Sequence, residues 1–112
     1  MLSKKKRLNL KKDFKWAVSG KPIDTKFAKL FIKMGENQTP RVGIASSSKT
    51  FKKAVERNRA RRLVSSALEV LYSQLPTTIN ILALPKHSVL GVKSGNVLLD
   101  LEESLKNAKI ID

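Results

Sequence analysis

Four arginines and one asparagine fall within six consecutive positions near the middle of the chain: Arg57, Asn58, Arg59, Arg61 and Arg62. A guanidinium carries a permanent positive charge and a planar fork of N–H donors that matches phosphate oxygens. Only Glu56 offers compensation within this run, so the cluster repels itself unless an external anion neutralises it. The chemistry predicted for this segment is therefore the binding of phosphate groups.

The basic run begins earlier than the arginines, with three lysines: Lys49, Lys52 and Lys53. Many runs of charge form nothing more than the solvated face of a helix. Arginine dominates the centre of this run, which favours phosphate binding over simple solvation. Solvation and phosphate binding are the two alternatives for the segment.

Side chains suited to catalysis are sparse in this sequence. It contains one histidine, His87, no cysteine and nine scattered carboxylates. A two-metal nuclease site needs several carboxylates that converge, whereas the neighbours Glu102 and Glu103 diverge on a helix. The sequence has no glycine-rich phosphate loop and no nucleophile motif. We therefore predict neither catalytic residues nor a metal site, and expect the protein to assist catalysis performed by a partner.

The composition indicates a polyanionic partner. Lysine and arginine outnumber aspartate and glutamate by 23 to 9, which gives a formal net charge of +14 on 112 residues. Such an excess on one small domain disfavours compaction unless a polyanion is close. Nucleic acid is the first candidate for this partner and an anionic membrane surface is the second. A membrane-spanning helix is not predicted, because no run approaches the ~18 apolar residues that a span needs. The absence of cysteine suits the cytoplasm, and no secretory signal is predicted.

Hydrophobic periodicity predicts how the basic segment is held. One arc of a helical wheel contains Ala60, Leu63, Val64, Ala67, Leu68, Leu71 and Leu75. Asn58, Arg59 and Arg62 fall on the opposite side, and the other two arginines flank the edge. A helix that ends before Pro76 would bury one side in a core and present its cations on the other.

The remaining periodic segments predict a single α+β domain over residues 1–112. We expect a helix capped by Asn9 and ending near Gly20, an extended piece at 21–25, strands at 27–34, 41–46 and 78–84, and a final helix near 97–108. The strands at 27–34 and 41–46 are expected to form a hairpin. The order strand, basic helix, strand predicts a parallel crossover, and residues 1–8 are expected to be a flexible basic arm.

The motif around the arginines resembles the bacterial ribonuclease P protein subunit. The resemblance runs through residues 41–44, 46–49 and 54–64, and the triplet at 57–59 is similar to the Arg-Asn-Arg motif of that family. Residues 8–14 are similar to the start of the same family. Lys52 and Lys53 stand where the family usually has Gly-Asn, so the turn that enters the helix is expected to differ.

This resemblance implies an αβββαβα sandwich of the ribosomal-protein type. It also implies a left-handed crossover, where general chirality predicts a right-handed one. In the family, an RNA subunit that uses Mg²⁺ removes the 5′ leader from precursor tRNA, and the protein binds both RNAs. The resemblance therefore implies an accessory subunit of an endoribonuclease, one per RNA. It implies a cytoplasmic protein with no DNA or membrane partner, and Mg²⁺ held through the RNA rather than by protein ligands.

Two RNA contacts are implied by the same resemblance. The basic helix and the three lysines before it would bind the catalytic RNA, with Asn58 either touching a base or a 2′-hydroxyl or serving a structural role. The leader would lie in a cleft between the first helix and the sheet, against Phe14, Val18, Phe31 and Lys29. Mixed aromatic and basic surfaces hold single strands at ~1–3 kcal/mol per stacked base. The alternative is that both phenylalanines are core residues.

Three other functions fit parts of the sequence. Charge and size suit a small ribosomal or other RNA-binding protein without a processing role. A DNA-binding module is disfavoured because no short helix precedes the basic helix in a helix-turn-helix arrangement. An independent nuclease is disfavoured by the lack of an acidic cluster. The extended motif favours the ribonuclease P protein over all three.

Overall fold

The computed structural model describes residues 3–112. Its helices and strands are α1 (Leu10–Val18), β1 (Lys21–Asp24), β2 (Ala28–Met34), β3 (Arg41–Ile44), α2 (Ala54–Leu71), β4 (Ile79–Pro85) and α3 (Ser94–Asn107). Short 3₁₀ turns lie at Lys4–Lys6, Tyr72–Gln74 and His87–Gly91. The predicted α+β class and the order αβββαβα are confirmed. Within the described residues, no helix has the length and apolar character needed to cross a membrane.

The strands form one mixed sheet in the order β1-β2-β4-β3. β4 pairs with β2 in the antiparallel sense and with β3 in the parallel sense, so the predicted parallel β3-α2-β4 unit is confirmed. The predicted hairpin between β2 and β3 is wrong, because β4 lies between them; β2 forms its hairpin with β1 instead. Residues 79–83 of β4 are all buried, and four of the five are apolar, which is typical of a central strand. The fifth, Asn80, donates to the Lys33 carbonyl at 3.2 Å and to the Asn37 side-chain oxygen at 2.8 Å.

The main core lies between one face of the sheet and the pair α2 and α3. Its members include Leu30, Ile32, Val42 and Ile81 from the sheet, Val64, Leu68 and Leu71 from α2, and Val97, Leu101 and Leu105 from α3. The predicted apolar arc of α2 is buried apart from Leu63, which is partly buried; Leu75 is buried beyond the end of the helix. Met34, predicted on the apolar face of β2, is 51% exposed where that strand ends.

α1 packs against the opposite face of the sheet. The Asn9 side chain accepts a hydrogen bond from the Lys12 amide at 3.3 Å, so the predicted cap is confirmed. Ala17 packs with Leu82 of β4 in a second buried cluster. Gly20 follows α1, and a Cβ atom there would lie 2.5 Å from a carbonyl oxygen of β2. Only glycine lets the chain turn this close to the sheet.

Residues 3–8 run along the outer edge of β3. Arg7 forms a parallel bridge with Val42, and the Leu8 amide donates to the Val42 carbonyl at 3.0 Å. Leu8 is buried in the cluster beneath α1. The first two residues of the predicted flexible arm lie outside the described residues, and the flexibility of the arm remains a prediction.

Candidate nucleic-acid interface

α2 begins at Ala54, directly after the two lysines that depart from the expected motif. Lys53 occupies the N-cap position with extended backbone and no capping hydrogen bond from its side chain. Its carbonyl accepts from the amides of Glu56 and Arg57 at 3.1 Å each. The first turn is therefore closed by the backbone, and the entry turn needs no Gly-Asn pair.

Arg57 fastens the loop that enters α2. Its Nη1 donates to the Phe51 carbonyl at 2.9 Å and to the Lys52 carbonyl at 3.4 Å. Its own carbonyl accepts from the Ser46 hydroxyl at 3.1 Å, just beyond the end of β3. Arg57 is half-buried and links the end of β3, the loop at 51–52 and α2. Sequence patterns did not predict this structural role.

Asn58, Arg59 and Arg62 are exposed on the side of α2 away from the core, as the helical wheel predicts. Arg61, predicted at the edge of that side, is exposed as well. Arg61 donates from Nη2 to the Asn58 side-chain oxygen one turn earlier, so Asn58 orients a guanidinium. Across residues 3–112, no acidic side chain forms an ion pair with these arginines. The outward side of α2 therefore carries positive charge that the described protein does not neutralise.

The lysines before α2 lie on a loop that is anchored from below. Lys49, Lys52 and Lys53 are exposed, whereas Phe51 between them is fully buried. The Phe51 ring stacks on His87, with centroids 5.7 Å apart and planes 16° from parallel. A single aromatic residue in a basic run has no periodic partner, so hydrophobic periodicity does not predict this anchor. His87 lies in a 3₁₀ turn rather than in a plain loop.

The residues proposed for the leader divide between α1 and β2. Phe31 is half-buried beside the cluster beneath α1, and the Lys29 ammonium lies 5.5 Å from the centre of its ring. Phe14 and Val18 on α1 are 39% and 37% exposed. Phe14 is therefore not a core residue, while Phe31 contributes to the core and retains an accessible part.

Trp16 is the third exposed apolar side chain of α1. The Lys33 ammonium of β2 lies 4.9 Å from its ring centre, within the range of a cation–π contact. The same ammonium donates to the Ser19 hydroxyl at 2.5 Å and to the Trp16 carbonyl at 3.4 Å. Lys33 therefore holds the carboxyl end of α1 on the sheet, and Trp16 covers this junction.

The two predicted surfaces meet where β3 ends. Ala45 packs against the cluster beneath α1, while the next residue, Ser46, hydrogen bonds to Arg57 in α2. Adjacent residues of one strand end therefore connect the α1 side of the sheet with the first turn of the basic helix. This link fixes the relative position of the two surfaces.

Acidic ligands do not converge in the structure. Within residues 3–112, no group of three histidine, aspartate or glutamate side chains is placed to hold a metal ion. Mg²⁺ prefers oxygen ligands that include carboxylates, so this donor set does not fit a dedicated Mg²⁺ site. Anion binding is the chemistry that these surfaces offer.

Comparison with known proteins gives the same assignment as the motif. A family model described as Ribonuclease P matches residues 2–109. The chain belongs to the ribonuclease P protein family. Membership links it to tRNA processing and RNA binding, as part of a ribonucleoprotein endonuclease. No curated protein sequence matches the chain.

Solved structures of ribonuclease P proteins share the fold. The Staphylococcus aureus protein is 22% identical, with a TM-score of 0.80 over 96% of this chain and 98% of that chain. The Thermotoga maritima protein is 24% identical, with a TM-score of 0.78 over 90% and 96%. A Staphylococcus aureus mutant described as defective in mRNA degradation activity is 21% identical, with a TM-score of 0.81 over 95% and 90%. At these identities the likeness supports the fold, and the family model supports membership.

The contacts of Arg57 predict that its substitution destabilises the fold more than substitution of Arg59 on the same helix. Arg57→Ala should lower the free energy of unfolding by about 1–3 kcal/mol, because two loop carbonyls lose a charged donor. Arg59→Ala removes the same charge from an exposed side chain that makes no hydrogen bond within residues 3–112, and should change the free energy of unfolding by less than about 0.5 kcal/mol. Urea denaturation followed by circular dichroism measures both. Equal losses would show that the Arg57 contacts do not hold the loop.

Proposed function

We propose that this protein is the protein subunit of ribonuclease P and promotes removal of the 5′ leader from precursor tRNA. In this proposal it binds the catalytic RNA through the outward side of α2 and the leader beside α1. The bond is broken by the RNA subunit with its own Mg²⁺. The observation that carries the proposal is the exposed, unneutralised set of guanidinium groups on α2, in a chain of this family.

The physical role of the protein is to reduce repulsion between two polyanions. The catalytic RNA and the precursor must bring their phosphates close together, and a surface of charge +14 lowers that cost. Cations that contact phosphates release condensed counterions, so binding weakens as salt rises. The protein should therefore increase the apparent affinity for substrate and for Mg²⁺, most strongly at low salt.

On the α2 side, the side chains have different roles. Arg59 and Arg62 are free to contact phosphates, and Arg61 does so from the orientation that Asn58 gives it. Lys49, Lys52 and Lys53 extend the same surface along the anchored loop. Arg57 contributes mainly by positioning that loop.

On the α1 side, the leader would cross a surface of aromatic and basic side chains. Phe14 and the accessible part of Phe31 offer stacking, Lys29 offers a cation to the backbone, and Val18 offers apolar contact. Such a surface holds a single strand without strong sequence preference. One protein per catalytic RNA, in the cytoplasm and without DNA or membrane partners, completes the proposal.

A cleavage assay tests the division of labour. Precursor tRNA is incubated at low Mg²⁺ with bacterial ribonuclease P RNA, with this protein, or with both. We expect efficient 5′ cleavage only with both, because the protein lacks a catalytic set and the RNA alone faces unscreened repulsion. Cleavage by the protein alone would overturn the proposal. No effect of the protein on the RNA would favour an RNA-binding protein without a processing role.

The leader contact predicts a substrate-specific loss. Phe14→Leu and Lys29→Gln should each weaken binding of leader-bearing precursor to the holoenzyme by about 5- to 10-fold, because each removes one stacking or phosphate contact. Binding of mature tRNA should not change. Lys26→Gln is the matched control for charge, since Lys26 is exposed in the turn between β1 and β2. Equal losses of affinity for precursor and mature tRNA would show that the leader does not bind this surface.

A further inference from the structure

A second basic surface lies between residues 3–8, the first turn of α1, β3 and α2. It is a groove of about 520 Å³ beyond the outer edge of the sheet. Its wall on one side is the segment that Arg7 and Leu8 fasten to Val42. Its wall on the other side is α2, through Arg61 and Ser65. The groove therefore exists because residues 3–8 are docked on β3.

The lining combines cations with an apolar floor. Lys4, Arg7, Lys11 and Arg61 contribute positive charges, and no acidic residue within 3–112 lines the groove. Leu8, Val42 and Ile44 contribute the apolar floor. By contrast, a second groove beside Trp16 includes the carboxylates Asp13 and Glu36 among its lining residues. Of these two grooves, the groove beyond β3 therefore has the charge more complementary to an anion.

Ser65 adds a polar group to the same wall. Its residue surface is 3% exposed, and no hydrogen bond joins its hydroxyl to another residue of the described chain. Helical serines in a core commonly bond to a carbonyl one turn earlier. Among residues 3–112, no fully buried side-chain oxygen or nitrogen lacks a hydrogen-bond partner, so the Ser65 hydroxyl keeps some exposure. Because Ser65 lines the groove, its hydroxyl is available to a ligand there.

We infer that this groove holds one unpaired nucleotide of the ribonuclease P RNA, with its phosphates against the cations and its base against the apolar floor. The volume lies within the range of small-ligand sites, roughly 300–1,000 Å³. An apolar floor makes no favourable contact with the charged backbone of a duplex, whereas the face of an unstacked base can pack against it. The assignment rests on the proposed function, because it extends the RNA contact of α2.

The position of Arg61 indicates whether the catalytic RNA or the leader occupies the groove. It belongs to the outward side of α2 and also lines the groove, so an RNA strand on α2 continues directly into it. Lys29 and Phe31, proposed for the leader, lie on β2, and β4 and β3 separate β2 from the groove. The catalytic RNA rather than the leader is therefore the expected occupant.

Two double variants with equal loss of charge test the groove. Lys4→Gln/Lys11→Gln removes two lining lysines, whereas Lys5→Gln/Lys15→Gln removes two exposed lysines of the same segments that do not line it. Affinity for ribonuclease P RNA is measured at several salt concentrations without precursor. The groove variant should bind about tenfold more weakly than the control and lose about two more units of salt slope. Equal behaviour of the two would overturn the inference.

A cross-link identifies the occupant. The chain has no cysteine, so Lys11→Cys carries a single photoreactive label and Lys15→Cys is the control. In the holoenzyme, Lys11→Cys should cross-link to one or two unpaired nucleotides of the ribonuclease P RNA. Cross-links to precursor tRNA, or the same pattern from both positions, would overturn the inference. If Arg59→Ala weakens RNA binding while the groove variant matches its control, the inference fails and the proposed function stands.

Discussion

The constraint on which this structure depends is that one helix must bury one side and keep its positive charge exposed on the other. Val64, Leu68 and Leu71 fix α2 in the main core, and the same rigid helix leaves Arg59 and Arg62 outside. Self-repulsion of that charge opposes folding, and burial against α3 and the sheet offsets it. The apolar side of α2 therefore determines where the cations can be presented.

Several contacts keep the surroundings of α2 in place without neutralising it. Arg57 directs its donors to backbone carbonyls rather than to an acid, and Phe51 anchors the lysine loop through burial. Elsewhere, the Asp100 carboxylate accepts from the amides of Lys26 and Phe27 at 3.0 Å each, which ties α3 to the turn between β1 and β2. Carboxylates are thus used for the scaffold, and the face of α2 remains cationic.

Much of the fold was predictable, because periodicity reports which side of an element is buried. The α2 arc, the Asn9 cap and the parallel crossover followed from patterns within single segments. The position of β4 between β2 and β3 did not, since strand order depends on long-range packing rather than on local spacing. The docking of Leu8 on Val42 was missed because the two residues are far apart in the sequence. The burial of Phe51 and the contacts of Arg57 were missed because both involve an irregular loop, where hydrophobic periodicity gives no information.

The salt dependence of RNA binding tests the central claim most directly. The dissociation constant for ribonuclease P RNA is measured from low to moderate salt for the native protein, Arg59→Ala/Arg62→Ala and Lys106→Ala/Lys109→Ala. Lys106 lies in the last turn of α3, Lys109 lies two residues beyond the helix, and both are exposed. The account predicts a steep slope for the native protein, a loss of about two units in the arginine variant, and little change in the lysine variant. Equal slopes for all three proteins would contradict it, because the charge on α2 would then be only solvated.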